Sequence, residues 1–338
     1  VELSVALVAL ALVIYLAWSG LGGWSLVIWR LFISVVTSIL YWVMGHWKAR
    51  LMFSFASLKE LFGFGGYMLL SSIVNQIYAN VQGLLIGRKF SAETMGYYSK
   101  AQNAESLASS LVSKISNNVS FPVLAELQYN REAMVGMLRR ITKILFFVTL
   151  PAMMILFLIA EPLFIMLYSE RWLSSVPYFR ILCFMGIFMC VEGVGNNAIA
   201  ALGKGKNFFW QNLLKRIAGV SIMIVGILVY GMKGLLVGMV ISASFNYIVN
   251  MFLISRHVGY SVPLQIRDVV PIIILTAISF FLCYVLGVIW NPNMYLLAIL
   301  QIVIFFIVYI VGARLFEIDS WVFVKNSIQS LLKRIRKR

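Results

Sequence analysis

Ten stretches of this sequence are long and apolar enough to cross a lipid bilayer, at about 1–18, 24–45, 61–86, 94–122, 144–168, 176–202, 209–230, 234–255, 269–289 and 294–313. No other feature narrows the choice of fold as far. About 20 helical residues cover the hydrocarbon core of a membrane. Inside it every backbone polar group has to be bonded within the protein, so apolar runs of this length become helices. The expected fold class is therefore all-α: a polytopic transmembrane helical bundle with ten spanning helices. Charged residues make up 12% of the chain, about half of what a soluble domain carries, which argues against an aqueous alternative. The span at 94–122 is the least apolar of the ten, and a hydropathy scan on its own could pass over it.

The net charge of +16 would suggest nucleic acid in a soluble protein. Here it follows the loops. Segments 46–60, 123–143, 203–216, 255–268 and 314–338 hold 20 of the 28 Lys and Arg residues, whereas the alternate turns hold only Arg88, Lys89, Arg171 and Lys233. Cytoplasmic loops concentrate Lys and Arg, so the first set is expected to face the cytoplasm, the C-terminus included, and no nucleic-acid partner is expected. The chain opens at Val1 already inside an apolar run, with no signal-peptide features. Our expectation is that it continues a longer protein. The tail from Arg314 ends in six residues of which five are basic and carries an apolar face, so it is expected to lie on the inner leaflet.

Two neighbouring spans are too polar to face lipid. In the first, Tyr67, Ser71, Asn75, Tyr78 and Gln82 recur every three or four residues and share one stripe. In the second, Lys100, Asn103, Ser110, Lys114 and Asn118 share one face. An unpartnered amide or ammonium in hydrocarbon costs several kcal/mol. These faces are expected to meet protein or to line a wet cavity. Asn75, Tyr78, Gln82, Asn103 and Asn118 can bind sugar hydroxyls or tie helices together. Glu105 lies off the Lys114 stripe, where it can meet a neighbouring helix or carry a proton. Glu192, followed by Gly193, Gly195, Asn196 and Asn197, is the other candidate for ion or proton coupling; a hydrogen-bonded structural role fits it equally. Asn246 and Asn250 read more readily as helix–helix ties, and Glu161-Pro162 as a kink.

Other chemistry is sparse. Cys183, Cys190 and Cys283 sit in apolar runs and read as buried thiols; His46 and His257 are in separate loops. No metal site, cofactor or catalytic residue is expected, and no phosphate loop of the ATPase kind is present. A weak repeat relates Gly20-Leu21-Gly22-Gly23 to Gly231-Met232-Lys233-Gly234, consistent with two equivalent bundles.

Several local patterns carry a resemblance. Phe90-Ser91-Ala92-Glu93 leads into Met95-Gly96-Tyr97-Tyr98-Ser99-Lys100-Ala101, and Phe121-Pro122-Val123-Leu124 closes the same helix. Tyr168-Ser169-Glu170-Arg171-Trp172-Leu173 precedes Val176-Pro177, and Ala201-Leu202-Gly203-Lys204-Gly205-Lys206 follows the next span. In order and spacing these resemble the Wzx-type polysaccharide flippases, in the polysaccharide transport branch of the multidrug/oligosaccharidyl-lipid/polysaccharide (MOP) exporter superfamily. The resemblance implies two six-helix lobes around a cavity. Residues 1–45 would be the last two helices of the N-terminal lobe and 46–60 a cytoplasmic linker. Residues 61–257 would form the C-terminal lobe, 258–313 an added helix pair and 314–338 the basic tail. It also implies a multi-pass protein of the bacterial cytoplasmic membrane that moves undecaprenyl-pyrophosphate-linked oligosaccharide to the outer leaflet, with membrane lipids and polysaccharide polymerase machinery as partners. The pyrophosphate would meet Lys114, with Arg30, Lys100 and Arg180 as further candidates. Structural pairing (for Lys114) or snorkelling to an interface (for the other three) is the competing role. Two other activities stay open: a small-molecule exporter of the same superfamily, and a membrane polymerase or ligase. Outward turns as short as these leave little room for a catalytic surface.

Overall fold

The computed structural model describes residues 2–45, 53–203, 205–290, 293–317 and 321, the side chains of 2, 3, 56, 57, 60, 61, 63, 64, 111 and 114–119 excepted. Residues 46–52 of the 46–60 linker and most of the basic tail lie outside the described residues. Helices account for nearly all of the rest: α1 (Glu2–Trp18), α2 (Trp24–Met44), α3 (Phe55–Lys89), α4 (Ala92–Glu126), α5 (Arg131–Leu158), α6 (Ala160–Tyr168), α7 (Val176–Ala201), α8 (Gly205–His257), α9 (Val262–Ile289) and α10 (Met294–Leu315). A 3-10 turn, Glu170–Ser175, precedes α7. The chain divides into two compact units, Val1–Leu58 and Lys59–Arg338.

Among the described residues, seven helices are long and apolar enough to cross a membrane. With the relatives described below, they make this a multi-pass membrane protein. The 35-residue α4 is not among the seven, as its sequence leads one to expect. The 53-residue α8 counts once, yet as a straight rod it would be about 80 Å long, far beyond a bilayer. It is instead broken at Tyr230 (φ −130°) and Gly231 (φ +60°). The second of these is a left-handed conformation that glycine adopts at little cost. The arms then run back along each other. A Cβ on Gly226 or on Gly234 would strike the other's carbonyl, one on Gly238 would lie 3.2 Å from Ile222 O, and one on Gly219 would meet the Ser242 hydroxyl. Each pair sums to about 460 in residue number, which defines an antiparallel hairpin centred on the break. Gly20, at the matching position of the first turn, also has positive φ (+85°).

In the second unit α7 is the centre. It packs against α4, α5 and α8. Phe179, Leu182, Cys183, Val191, Val194 and Ala198 are all buried on one broad side of it, while Phe184 and Met189 are exposed. Cys190 and Cys283 are likewise buried free thiols. α5 ends at Leu158, four residues before Pro162, whose ring would clash with the carbonyl at that position; α6 restarts after Ile159, at the expected kink.

The α9–α10 pair is fastened to α5 at one end by a carboxylate. Asp268, with 4% of its side chain exposed, accepts from Arg139 Nε at 2.7 Å and Nη2 at 2.9 Å. Tyr260 Oη donates to it at 2.7 Å, and Lys143 lies 3.4 Å away. Arg131 Nε donates to Val258 O at 2.8 Å, holding the connector between α8 and α9.

Two substitutions test these contacts. Gly234→Ala forces a backbone collision in the hairpin and should cost about 1–3 kcal/mol in detergent thermal unfolding. Gly136→Ala, with nothing within 4 Å of its added methyl, should leave stability unchanged or slightly raised. Asp268→Asn should cost about 2 kcal/mol, discounted for the part-exposed Arg139, and lower the melting temperature.

Candidate functional site

The polar stripe on α3 faces protein. Asn75, Tyr78 and Gln82 line a cavity of about 360 Å³ enclosed by α3, α4, α7 and α8. From α4 come Glu105 and Ser109, from α7 Glu192 and Asn196, and from α8 Arg216 and Asn246. Both carboxylates read from the sequence as coupling candidates therefore border one space.

One wall is a dense polar network. Lys215, 3% exposed, donates to Asn250 Oδ1 at 2.9 Å and Asn196 Oδ1 at 3.0 Å, and lies 3.7 Å from Glu192 Oε1. Two hydrogen bonds and an ion pair thus surround the ammonium, the compensation that removing a charge from water demands. Arg216 sits beside it. Its Nε donates to Asn75 Oδ1 at 2.9 Å, its Nη2 is 3.5 Å from Glu192 Oε1, and its guanidinium lies 4.7 Å from the centre of the Tyr78 ring. Asn212 donates to the same Asn75 oxygen at 3.2 Å, and Tyr78 Oη shares a hydrogen bond of 3.1 Å with Ser242. Asn250 also donates to Glu192 O at 3.2 Å, tying α8 to α7.

Glu105 is held differently. It is 3% exposed and its Oε1 has no hydrogen-bond partner among the described residues. That oxygen presses on Gly186, where a Cβ would strike it. Across the cavity, the Oδ1 of Asn246 is also buried without a partner. The cavity therefore has one carboxylate flanked by cations, Glu192, and one with an unbonded oxygen, Glu105. Of the described charged residues, Glu105, Glu192 and Arg216 line the cavity, and Lys215 stands behind Glu192.

The other candidates fall elsewhere. On α4 the stripe that turns inward is Tyr98, Ala101, Glu105 and Ser109, all buried at helical spacing, so Asn103 is exposed. Lys100 is half-buried, its ammonium 5.0 Å from the Tyr168 ring and 4.9 Å from Trp172; it is caged by aromatics and takes no part in the cavity. Arg180 lies in a separate cavity of about 470 Å³ beside α9 and α10, donating to Glu161 Oε1 at 3.1 Å and Phe157 O at 3.3 Å. Arg30 is exposed in the first unit. The side chains of Lys114 and Asn118 lie outside the described residues. Lys215 and Arg216 are what sequence reasoning missed. They were assigned to a cytoplasmic loop by charge counting, yet they sit ten residues inside α8. Folding the hairpin about Gly231 in register would have set Asn212 and Lys215 against Asn250 and Asn246.

The network predicts a non-additive pair. Lys215→Met leaves Glu192 short of a partner in a buried setting and should destabilise by about 3 kcal/mol. Lys215→Met with Glu192→Met should recover a part of that loss, read as a coupling energy in a thermal-unfolding double-mutant cycle.

Residues 1–177 match the model of a family described as "Polysaccharide biosynthesis protein". The chain is 27% identical over 187 residues to "Teichuronic acid biosynthesis protein TuaB" of Bacillus subtilis (strain 168), covering 54% of this chain and 39% of that protein. It is 23% identical over 227 residues to "Lipopolysaccharide biosynthesis protein WzxC" of Escherichia coli (strain K12), covering 67% and 46%. It is 26% identical over 207 residues to "Succinoglycan biosynthesis transport protein ExoT" of Rhizobium meliloti (strain 1021), covering 61% and 42%. The chain thus spans less than half the length of these relatives. Its fold matches the solved structure "Lipid II flippase MurJ, inward closed conformation" with a TM-score of 0.73 at 19% identity, over 94% of this chain and 67% of that one. With the fold shared with that structure and a family match over more than half of its residues, the second of which decides the family, this chain belongs to the polysaccharide biosynthesis protein family.

Proposed function

We propose that this chain is part of a membrane transporter that flips undecaprenyl-pyrophosphate-linked oligosaccharide from the inner to the outer leaflet of the bacterial cytoplasmic membrane, by alternating access and without catalysing a covalent step. The observation that carries this reading is kinship: a MurJ-like order of helices in a chain whose relatives are named for polysaccharide biosynthesis and transport. In this reading ten helices cross the membrane, α1, α2, α3, α4, α5 with α6, α7, the two arms of α8, α9 and α10, and the C-terminus is cytoplasmic. Residues 61–257 act as the C-terminal lobe, and polysaccharide polymerase machinery takes up the product.

The cavity of about 360 Å³ lies at the small end of ligand pockets and cannot hold an oligosaccharide. We assign it to energy coupling and leave the cargo to a passage bordered by this lobe. Glu192 is occupied by Lys215 and Arg216, whereas Glu105 keeps an oxygen free. Glu105 is therefore the group that would exchange a proton or bind a small cation as the lobe moves, with Glu192 fixing the geometry around it. Lys114 remains the candidate pyrophosphate contact.

In proteoliposomes carrying a pyrophosphate-linked oligosaccharide, Glu105→Gln should abolish the response of flipping to an imposed ion gradient while leaving gradient-free exchange. Lys114→Ala should lower exchange itself by about tenfold or more, the equivalent of one charged contact. Absence of flipping by the wild-type protein would overturn the transport reading. Gradient-driven flipping that survives Glu105→Gln would overturn the coupling role alone.

A further inference from the structure

A groove of about 560 Å³ runs between α3 and the first arm of α8. Its walls are Val81, Leu84 and Leu85 on one side and Ile224, Ile227 and Leu228 on the other; Arg88 and Lys89 stand at its end. Leu84 and Leu228 are each 70% exposed, so the groove opens sideways towards lipid. On the other face of the same arm a second, almost wholly apolar groove of about 650 Å³ ends at Lys233.

The placement of these cations is what calls for an explanation. Arg88, Lys89 and Lys233 are three of the four Lys and Arg residues on the turns that the charge pattern assigns to the outside, where such residues are normally few. Arg88 and Lys89 are exposed and have no acidic partner among the described residues. They do complement the C-terminal dipole of α3, but one cation in the last turn would serve that. Two adjacent cations at the polar end of an apolar, lipid-facing slot match one chemistry: a phosphate with a long hydrocarbon chain attached. Guanidinium and ammonium bind phosphate oxygens, and the leucines and isoleucines accept the chain.

We propose that the α3–α8 groove is a binding site for an anionic glycerophospholipid, its phosphate held by Arg88 and Lys89 and one acyl chain lying along Leu84, Ile224 and Leu228. The lipid would fill a seam between two helices that also form walls of the polar cavity, so its occupancy bears on how closely they pack. The site stands whether or not the transport reading holds.

The test uses the protein in phosphatidylcholine nanodiscs doped with phosphatidylglycerol, with retained lipid counted by native mass spectrometry. Each cation near an anionic phosphate contributes about a fivefold preference, so the wild type should retain phosphatidylglycerol at least tenfold over phosphatidylcholine. Arg88→Gln with Lys89→Gln should bring the two lipids to parity. Leu84→Trp, which fills the slot and keeps both cations, should also release the bound lipid. Arg171→Gln, an outward cation away from the groove, should change nothing. Parity in the wild type, or a preference that survives the double substitution in a protein with an unchanged melting temperature, would overturn the proposal. Displacement of phosphatidylglycerol by an equimolar polyprenyl phosphate would overturn it in favour of the carrier lipid.

Discussion

A buried ammonium sets the terms for the second unit. Lys215 sits in the low-dielectric interior of a bundle, where an ammonium needs hydrogen-bond acceptors and an opposite charge around it. That requirement recruits Asn196 and Glu192 from α7 and Asn250 from the returning arm of α8. Arg216 carries the arrangement on to Asn75 and Tyr78 of α3. Three helices are thereby fixed in rotation by one cluster. Apolar packing could not do this, because greasy surfaces in lipid slide at little cost and polar contacts choose the register.

The two carboxylates of the cavity illustrate how environment separates chemically identical groups. Glu192 faces two cations and one amide, and its negative charge is compensated in place. Glu105, on α4, lies against Gly186 and leaves an oxygen unbonded among the described residues. The first is a fixed strut and the second an open valence. A similar contrast holds at the loop end of the bundle. There Asp268, tied by Arg139 and Tyr260, fastens the α9–α10 pair.

The sequence made the helices legible because membrane-length apolar runs admit few other structures. The ends of α1, α2, α7 and α10 fall within two residues of expectation. Asn75, Tyr78 and Gln82 were legible because polar side chains at helical spacing in an apolar segment have nowhere else to go. What periodicity does not tell is which stripe of a many-sided helix turns inward. On α4 the conspicuous stripe through Lys100 and Asn103 looked like the lining, whereas the inward one is small and mostly uncharged, with Glu105 its single ionisable carboxylate. Lys100 could not be placed from spacing, because its aromatic partners Tyr168 and Trp172 lie some 70 residues away. Lys215 and Arg216 were hidden by a rule that is right on average: cations near helix ends belong to loops. It failed where α8 begins earlier than its hydropathy suggests and buries its second and third turns.

The α8 hairpin has a consequence for how this sequence can change over time. Its arms meet backbone to backbone at Gly226 and Gly234, and nearly so at Gly238 and Ile222. A side chain gained on one arm has no soft neighbour to push aside and must be matched by a loss, or a shift, on the other. Gly226 and Gly234 are thus bound to one another across the fold, whereas outward side chains of the same arms, such as Leu228 and Val237, are free to vary singly.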